Sequence, residues 1–220
     1  EEYLKIVARD KEIKLTPLGA LPRKVLVEIY DKGILSEELI DSGISKVTSE
    51  HDCVSIRSAR ITVGLAGLTK KLKGRITLTK KGEQMMKKEK RLELFKLFLI
   101  AYTVDFSWAY NDGYPKGPIG QLGCAFSAFL LNKFGDEEQP ANFYSLKYLK
   151  ALPNLLPLFS DQYSTKEELF SNCYNLRVIK RFLFWFGLVK IKKNQNDIKY
   201  SDKGKVIKTN TLNEVFDFDD

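Results

Sequence analysis

Residues 53–82 read CVSIRSARITVGLAGLTKKLKGRITLTKKG, and residues 173–204 read CYNLRVIKRFLFWFGLVKIKKNQNDIKYSDKG. Identical residues recur in the two stretches at a spacing of 120 positions, until the second stretch gains two residues near Asn194–Asn196. The matched pairs are Cys53 and Cys173, Arg57 and Arg177, Gly67 and Gly187, and Leu68 and Leu188. This spacing predicts an internal repeat.

Each copy has the residue order of a helix followed by a β-hairpin. In the first copy, apolar residues at helical spacing predict a helix from about 52 to 66, which Gly67 ends. Leu68–Lys73 and Arg75–Thr79 predict two short strands on either side of a tight turn, and Thr79 is suited to cap the next helix. Helix, hairpin and helix start in this order are what a winged helix-turn-helix needs.

The second copy predicts the same elements with a longer hairpin tip. Its helix covers 173–186, and its hairpin spans Leu188–Tyr200. Ser201 takes the place of Thr79, and Lys203-Gly204 then opens the last helix. We therefore expect a mainly α fold with short antiparallel β-hairpins, built from two winged-helix-like units and a helical middle segment. The predicted ranges are 1–102 for the first unit with its lead-in, 103–159 for the aromatic-rich middle, and 160–220 for the second unit with an acidic tail.

The positive charge of the chain is concentrated in the two copies. The net charge is +8 over 220 residues. Residues 69–91 hold ten Lys and Arg against two acidic residues, and residues 177–208 hold ten against two as well. Because the same part of each copy is basic, we expect an anionic partner, with nucleic acid as the first candidate.

Cysteine and hydropathy patterns indicate the class of protein and its compartment. Three widely spaced cysteines favour neither a disulfide framework nor a structural zinc site, and they predict a reducing, cytoplasmic compartment. Cys53 and Cys173 are expected to be small buried residues. The longest apolar run, Leu92–Val104, is too short and too charged to span a membrane. The chain starts with Glu1 and not Met, so we expect a segment that follows an upstream domain.

Two stretches carry a resemblance to known proteins. Residues 76–82, ITLTKKG, resemble the strand-to-helix exit of the wing in winged-helix regulators. Together with residues 106–115, FSWAYNDGYP, they resemble a group of uncharacterised bacterial proteins in which this region follows other modules. The resemblance implies a duplicated winged-helix-like region in a longer chain, and it implies no residue roles.

The lysine-rich hairpins are the candidate site, because cations along a two-stranded ribbon can neutralise phosphates and release counterions. The first helix offers a polar outer face for groove contacts at Ser55, Arg57, Ser58, Arg60 and Thr62. The second helix is apolar nearly all round at 182–186, so we expect the second copy to be mainly structural. The candidate nucleic-acid-binding residues are Arg57, Arg60, Lys70, Lys71, Lys73, Arg75, Lys190, Lys192 and Lys193.

Two hypotheses about function follow. In the first, the chain binds nucleic acid, with double-stranded DNA as the more favoured partner, through phosphate contacts with little base specificity. In the second, it is a protein-interaction or scaffold module that serves an upstream domain or a partner protein and binds no nucleic acid. The sequence predicts no catalytic residues, no metal site and no cofactor, because its single histidine, His51, has no nucleophile or ligand cluster around it.

Overall fold

The computed structural model describes residues 1–35, 37–160, 164–192 and 204–218. The chain divides into two compact units, residues 1–106 and residues 107–220, and each is described by itself. Most of the stretch 103–159, which the sequence predicts to be a separate middle segment, is part of the second unit. Both units are mainly helical, and each contains a small three-stranded antiparallel sheet.

The first unit begins with an amphipathic helix and ends with a long, segmented helical stretch. Its helices and strands are α1 (Glu2–Asp10), β1 (Ile13–Lys14), α2 (Arg23–Tyr30), α3 (Glu38–Asp41), α4 (Val54–Leu65), β2 (Thr69–Leu72), β3 (Arg75–Leu78), α5 (Lys80–Met85), a 3-10 turn (Lys88–Lys90), α6 (Arg91–Ile100) and a π-helical turn (Ala101–Asp105). The helix predicted at 52–66 is thus α4.

One hydrophobic core holds the first unit together. Helix α1 contributes Leu4 and Val7, which are at most 1% exposed, and the sheet contributes Ile13 and Ile76. The sheet order is β1-β3-β2, and Ile13 lies opposite Ile76 in the antiparallel register. Burial of these apolar side chains, at about 25 cal/mol per Å² of surface removed from water, is the main stabilising contribution to such a core.

The second unit repeats this order of helices and strands after an irregular opening segment. Its elements are α7 (Cys124–Phe134), β4 (Gln139–Pro140), α8 (Ala141–Ala151), a 3-10 stretch (Pro153–Leu158), α9 (Lys166–Tyr174), a π-helix (Asn175–Phe184) that continues α9, β5 (Val189–Lys192), β6 (Lys205–Lys208) and α10 (Thr211–Val215). Its sheet order, β4-β6-β5, matches the order in the first unit position by position.

The second hairpin differs from the sequence prediction in the position of its returning strand. Strand β6 lies at Lys205–Lys208, so the prediction that the hairpin ends at Tyr200 and that Lys203-Gly204 opens a helix is wrong. Ser201 lies outside the described residues, as does most of the predicted tip. The reason for the shift is burial, because Val206 enters the core at 0% exposure and pairs with both neighbouring strands.

Matched hydrogen bonds close the hairpin in each unit. Thr79 donates its hydroxyl to the carbonyl of Gly67 at 2.7 Å, and Thr209 donates its hydroxyl to the carbonyl of Gly187 at 2.6 Å. The backbone N–H groups of the same threonines donate to Leu68 and Leu188, at 3.0 Å in both units. Thr209 therefore occupies the place that the sequence assigned to Ser201.

Candidate nucleic-acid interface

The first ribbon, residues 69–78, is a regular two-stranded hairpin. Leu72 pairs with Arg75, and Lys73 and Gly74 form the turn between them. Their φ angles are 47° and 71°, both positive, as the two central residues of a type I′ hairpin turn require. A lysine in this left-handed conformation costs about 1 kcal/mol relative to glycine, and the turn presents its side chain at the tip.

Three lysines of the first ribbon carry charge that no neighbouring acid balances. Lys70, Lys71 and Lys73 are exposed, and none of them makes an ion pair with a residue that the structure describes. Arg75 differs, because its guanidinium contacts the carboxylate of Glu12, which precedes β1. The first ribbon thus brings together the four predicted residues 70, 71, 73 and 75 and leaves three of them available to an anion.

Helix α4 does not present the polar outer face that the sequence predicts. Ser55, Ser58 and Thr62 are at most 2% exposed. Ser55 donates both its N–H and its hydroxyl to the carboxylate of Glu37, and the Thr62 hydroxyl donates to the carbonyl of Ser58 at 2.8 Å. The expectation that these three hydroxyls face a groove is therefore wrong, because all three side chains are buried and the hydroxyls of Ser55 and Thr62 donate inside the unit.

The two predicted arginines of α4 have different surroundings. Arg60 donates to Glu50 through Nη2 at 3.0 Å and also through Nε, and the Glu50 side chain is only 2% exposed. Glu50 also accepts the backbone N–H of Leu21, so this ion pair ties α4 to the loop before α2. Arg57 is half-buried, and its Nη1 lies 3.0 Å from Nδ1 of exposed His51.

The second ribbon, the described residues 189–192 and 205–208, is largely neutralised by acids of its own unit. Lys192 contacts Glu138, and Lys205 Nζ lies 3.7 Å from the same carboxylate. The hydrogen bond from Lys192 lowers the pKa of Glu138. Lys208 Nζ lies 2.9 Å from Asp136. Lys190 is exposed, and predicted Lys193 lies outside the described residues.

Arg177, the counterpart of Arg57, is a buried structural residue. Its side chain and that of Asp112 are both 0% exposed, and Nε donates to the Asp112 carboxylate at 2.5 Å. The two remaining nitrogens donate to the carbonyls of Gly117 and Pro115 at 2.8 and 2.9 Å. Arg177 therefore offers no donor to a ligand, because every nitrogen of its guanidinium is used inside the unit.

The cysteines and the aromatic segment belong to the cores of the units. Cys53 and Cys173 are both 0% exposed, as predicted for small buried residues. Burial raises the pKa of the Cys53 thiol to about 11 and that of Cys173 to about 12. Trp108 packs on Phe182 with ring centroids 4.9 Å apart, and both are buried. Within the described ranges, no cluster of His, Cys, Asp or Glu is suited to hold a metal ion.

Comparison with known proteins gives one similarity. Residues 1–91 match the family model of the Y4jL N-terminal domain, a range that contains all of the first ribbon and α4. No match was found among curated proteins or among solved structures. Among the described helices, none has the length and apolar character needed to span a bilayer.

Proposed function

We propose that the first unit is a winged-helix module that binds double-stranded DNA through phosphate contacts of its basic ribbon. The order helix (α1), strand (β1), three helices (α2, the four-residue α3, and α4), strand, strand and the antiparallel sheet order β1-β3-β2 support this proposal, with α3 as a short additional helix. In winged helices the hairpin that follows the third helix is the wing. On this proposal the first ribbon is a wing, and the second unit is a duplicate of the same fold.

The observation that carries the proposal is the unbalanced charge of the first ribbon. Lys70, Lys71 and Lys73 project from one hairpin with no acidic partner among the described residues. Cations arranged in this way release counterions from a phosphate backbone, and the resulting affinity falls with salt. Arg75 would add a fourth contact once DNA competes with Glu12 for its guanidinium.

The proposed binding is weakly specific for sequence. Groove readout needs polar side chains on the outer face of a helix, and the hydroxyls of α4 are buried. Phosphate contacts position a protein on DNA but carry no sequence information. Arg57 would reinforce the wing, whereas Arg60 is a structural residue that anchors α4 through Glu50.

The second unit would contribute less to DNA binding. Glu138 and Asp136 lie against Lys192, Lys205 and Lys208, so Lys190 is the described lysine of this ribbon with the most freedom to contact phosphate. On this proposal the chain acts by binding and not by catalysis, and a cytoplasmic location stays a prediction from the cysteine pattern.

A titration of labelled duplex DNA at low and moderate salt tests the proposal. Wild-type protein should bind at low salt and weaken steeply as salt rises, and the triple variant Lys70→Glu, Lys71→Glu, Lys73→Glu should lose that binding while keeping the wild-type circular dichroism spectrum. Absence of salt-sensitive binding by the wild type would sink the proposal.

A scaffold role is the second candidate, and the burial of Ser55, Ser58 and Thr62 favours it. A helix whose polar face is used inside its own unit is suited to support a fold rather than to read a groove. In that case the unit would serve an upstream domain or partner protein, and the first-ribbon variant would bind that partner as the wild type does while neither protein binds DNA.

A further inference from the structure

The first unit contains an open cleft of about 500 Å³ beside the N-terminal half of α4. One wall is the loop 16–21, and another is the segment 48–51. Three arginines line it, Arg23 from α2 and Arg57 and Arg60 from α4, together with His51. Of the residues that line the cleft, the ribbon proposal uses Arg57 alone, and the lining contains three guanidinium groups.

Two of the arginines of the cleft, Arg23 and Arg60, are held in place by hydrogen bonds that leave other N–H groups of the guanidinium without a partner among the described residues. Arg23 donates through Nε to the carbonyl of Val47 at 2.9 Å, and its two Nη groups have no partner among the described residues. Arg60 is held by Glu50 through Nε and Nη2. A guanidinium fixed by one edge keeps its other N–H groups in a planar fork, which is the geometry that recognises phosphate oxygens.

The carboxylate in the lining of the cleft already has hydrogen-bonding partners inside the unit. Glu50 is the carboxylate among the described lining residues, and both of its oxygens accept hydrogen bonds, from Arg60 and from the N–H of Leu21. Asp52, just outside the lining, accepts from the N–H and hydroxyl groups of Thr48 and Ser49 and thereby shapes the wall. These hydrogen bonds, with that from the Thr48 hydroxyl largest, lower the pKa of Asp52. The cleft therefore has a net positive lining.

The cleft lies next to the first ribbon. A methyl group placed on Gly19, in the loop that forms one wall, would lie 3.2 Å from Nζ of Lys71. A nucleic-acid phosphate backbone bound along the ribbon could therefore extend to the cleft while it stays next to positively charged side chains. Leu18, at the tip of the same loop, is 96% exposed and leaves the mouth open.

We propose that this cleft binds a phosphate group. Arg23 and Arg57 supply the positive charge, and Arg60, which Glu50 holds in place by one edge of its guanidinium, supplies a donor of fixed orientation. The phosphate could come from two sources. A phosphodiester of the DNA on the ribbon is one, and that version rests on the function proposed above. A free phosphate monoester, such as that of a mononucleotide, is the other, and that version stands without it.

The test uses the double variant Arg23→Gln, Arg57→Gln, which spares Arg60 and the buried Glu50. The matched control is Lys24→Gln, Lys32→Gln, which removes the same charge from α2 and its end without touching the cleft. One arm measures the slope of log affinity for a labelled duplex against log salt. The other measures the melting temperature with added inorganic phosphate or adenosine monophosphate, because a ligand that binds only the folded state raises it.

Either of two results supports the cleft. For the diester source, the double variant should lower the salt slope by about 1, at roughly 0.9 for the one phosphate contact that is lost, while the control lowers it less. For the monoester source, inorganic phosphate or the mononucleotide should stabilise the wild type and the control but not the double variant, even if DNA does not bind.

The cleft proposal is overturned if the folded double variant retains the wild-type salt slope and the wild-type response to phosphate. In the same assay, loss of DNA binding by the first-ribbon variant would then show that the ribbon proposal survives without the cleft. Phosphate binding without DNA binding would show the reverse, so failure of one proposal is distinguishable from failure of the other.

Discussion

Arg57 and Arg177 occupy matching positions in two similar helix-and-hairpin units, yet their side chains have opposite surroundings. Arg57 is half-buried, lines an open cleft and lies against exposed His51. Arg177 is fully buried against Asp112 and two backbone carbonyls. The difference comes from the opening segment of the second unit, before α7, which supplies the carboxylate of Asp112 and the carbonyls of Pro115 and Gly117 to Arg177. Matching sequence positions can thus hold the same cation in different surroundings.

The two ribbons show the same contrast in charge. Both units pair a cation of the returning strand with an acid that precedes the first strand, Arg75 with Glu12 and Lys205 with Glu138. Beyond that shared pair, the first ribbon has three lysines without an acidic partner among the described residues, whereas Glu138 also reaches Lys192. By total charge alone, the two copies would be equally suited to bind an anion. The neighbouring carboxylates make them different, because they pair with lysines of the second ribbon.

The largest expected effect is on stability, from replacement of the two matched arginines. Arg177→Met should destabilise the second unit by about 3–5 kcal/mol, because it leaves the buried Asp112 carboxylate without its partner. Arg57→Met should change the stability of the first unit by less than about 1 kcal/mol, because a partly exposed polar contact contributes little. Urea unfolding followed by circular dichroism measures both variants, and tryptophan fluorescence reports on the second unit alone, since both tryptophans, Trp108 and Trp185, lie in it.

A double variant provides the control for this comparison. Arg177→Met combined with Asp112→Asn removes both charges, so part of the lost stability should return. Equal costs for the two arginines, or no recovery in the double variant, would contradict the distinction between a buried structural arginine and a half-buried one.

A smaller effect is expected from releasing the lysines of the second ribbon. Glu138→Gln removes the carboxylate that holds Lys192 and Lys205, so DNA binding should tighten at low salt and its salt slope should steepen by up to about 2. Glu137→Gln is the matched control, because it removes the same charge at the adjacent, exposed position. If the two variants give the same affinity in a salt-dependent anisotropy titration, Glu138 does not weaken DNA binding by the second ribbon.

The smallest effect concerns what the two units share. Gly67 and Gly187 end the matched helices with φ angles of 71° and 70°, and a Cβ on either would meet nothing within 4 Å. Gly67→Ala and Gly187→Ala should therefore each cost about 1 kcal/mol, from backbone strain alone. Gly64→Ala, inside α4, should instead be neutral or stabilising by up to about 1 kcal/mol. Thermal unfolding measures all three, and clearly unequal costs at Gly67 and Gly187 would argue against a common helix end.

Features with local causes could be predicted from the sequence. Helix α4, its end at Gly67, the Lys73-Gly74 turn and the Thr79 cap all follow from residues within a few positions of one another, and the structure has each of them. The burial of Cys53 and Cys173 also follows, because small apolar side chains on the inner face of a helix suit a core.

Features that depend on distant residues could not be predicted. Asp112 and Arg177 are 65 positions apart, and no local pattern links a buried ion pair at that separation. The burial of Ser55 depends on its hydrogen bonds to the carboxylate of Glu37, 18 positions earlier in the chain. The position of β6 depends on the length of a polar insertion, and sequence periodicity does not show where the strand begins. The burial of Val206 determines that position instead.

The central claim is that uncompensated lysines of the first ribbon, and not total basic charge, control DNA binding. The direct test compares the salt slopes of two matched triple variants, Lys70→Gln, Lys71→Gln, Lys73→Gln in the first ribbon and Lys190→Gln, Lys192→Gln, Lys205→Gln in the second. We predict that the first variant lowers the slope by about 3 and the second by about 1, at roughly 0.9 per lost phosphate contact. Equal losses, a larger loss from the second ribbon, or a wild type whose binding does not depend on salt would contradict the claim.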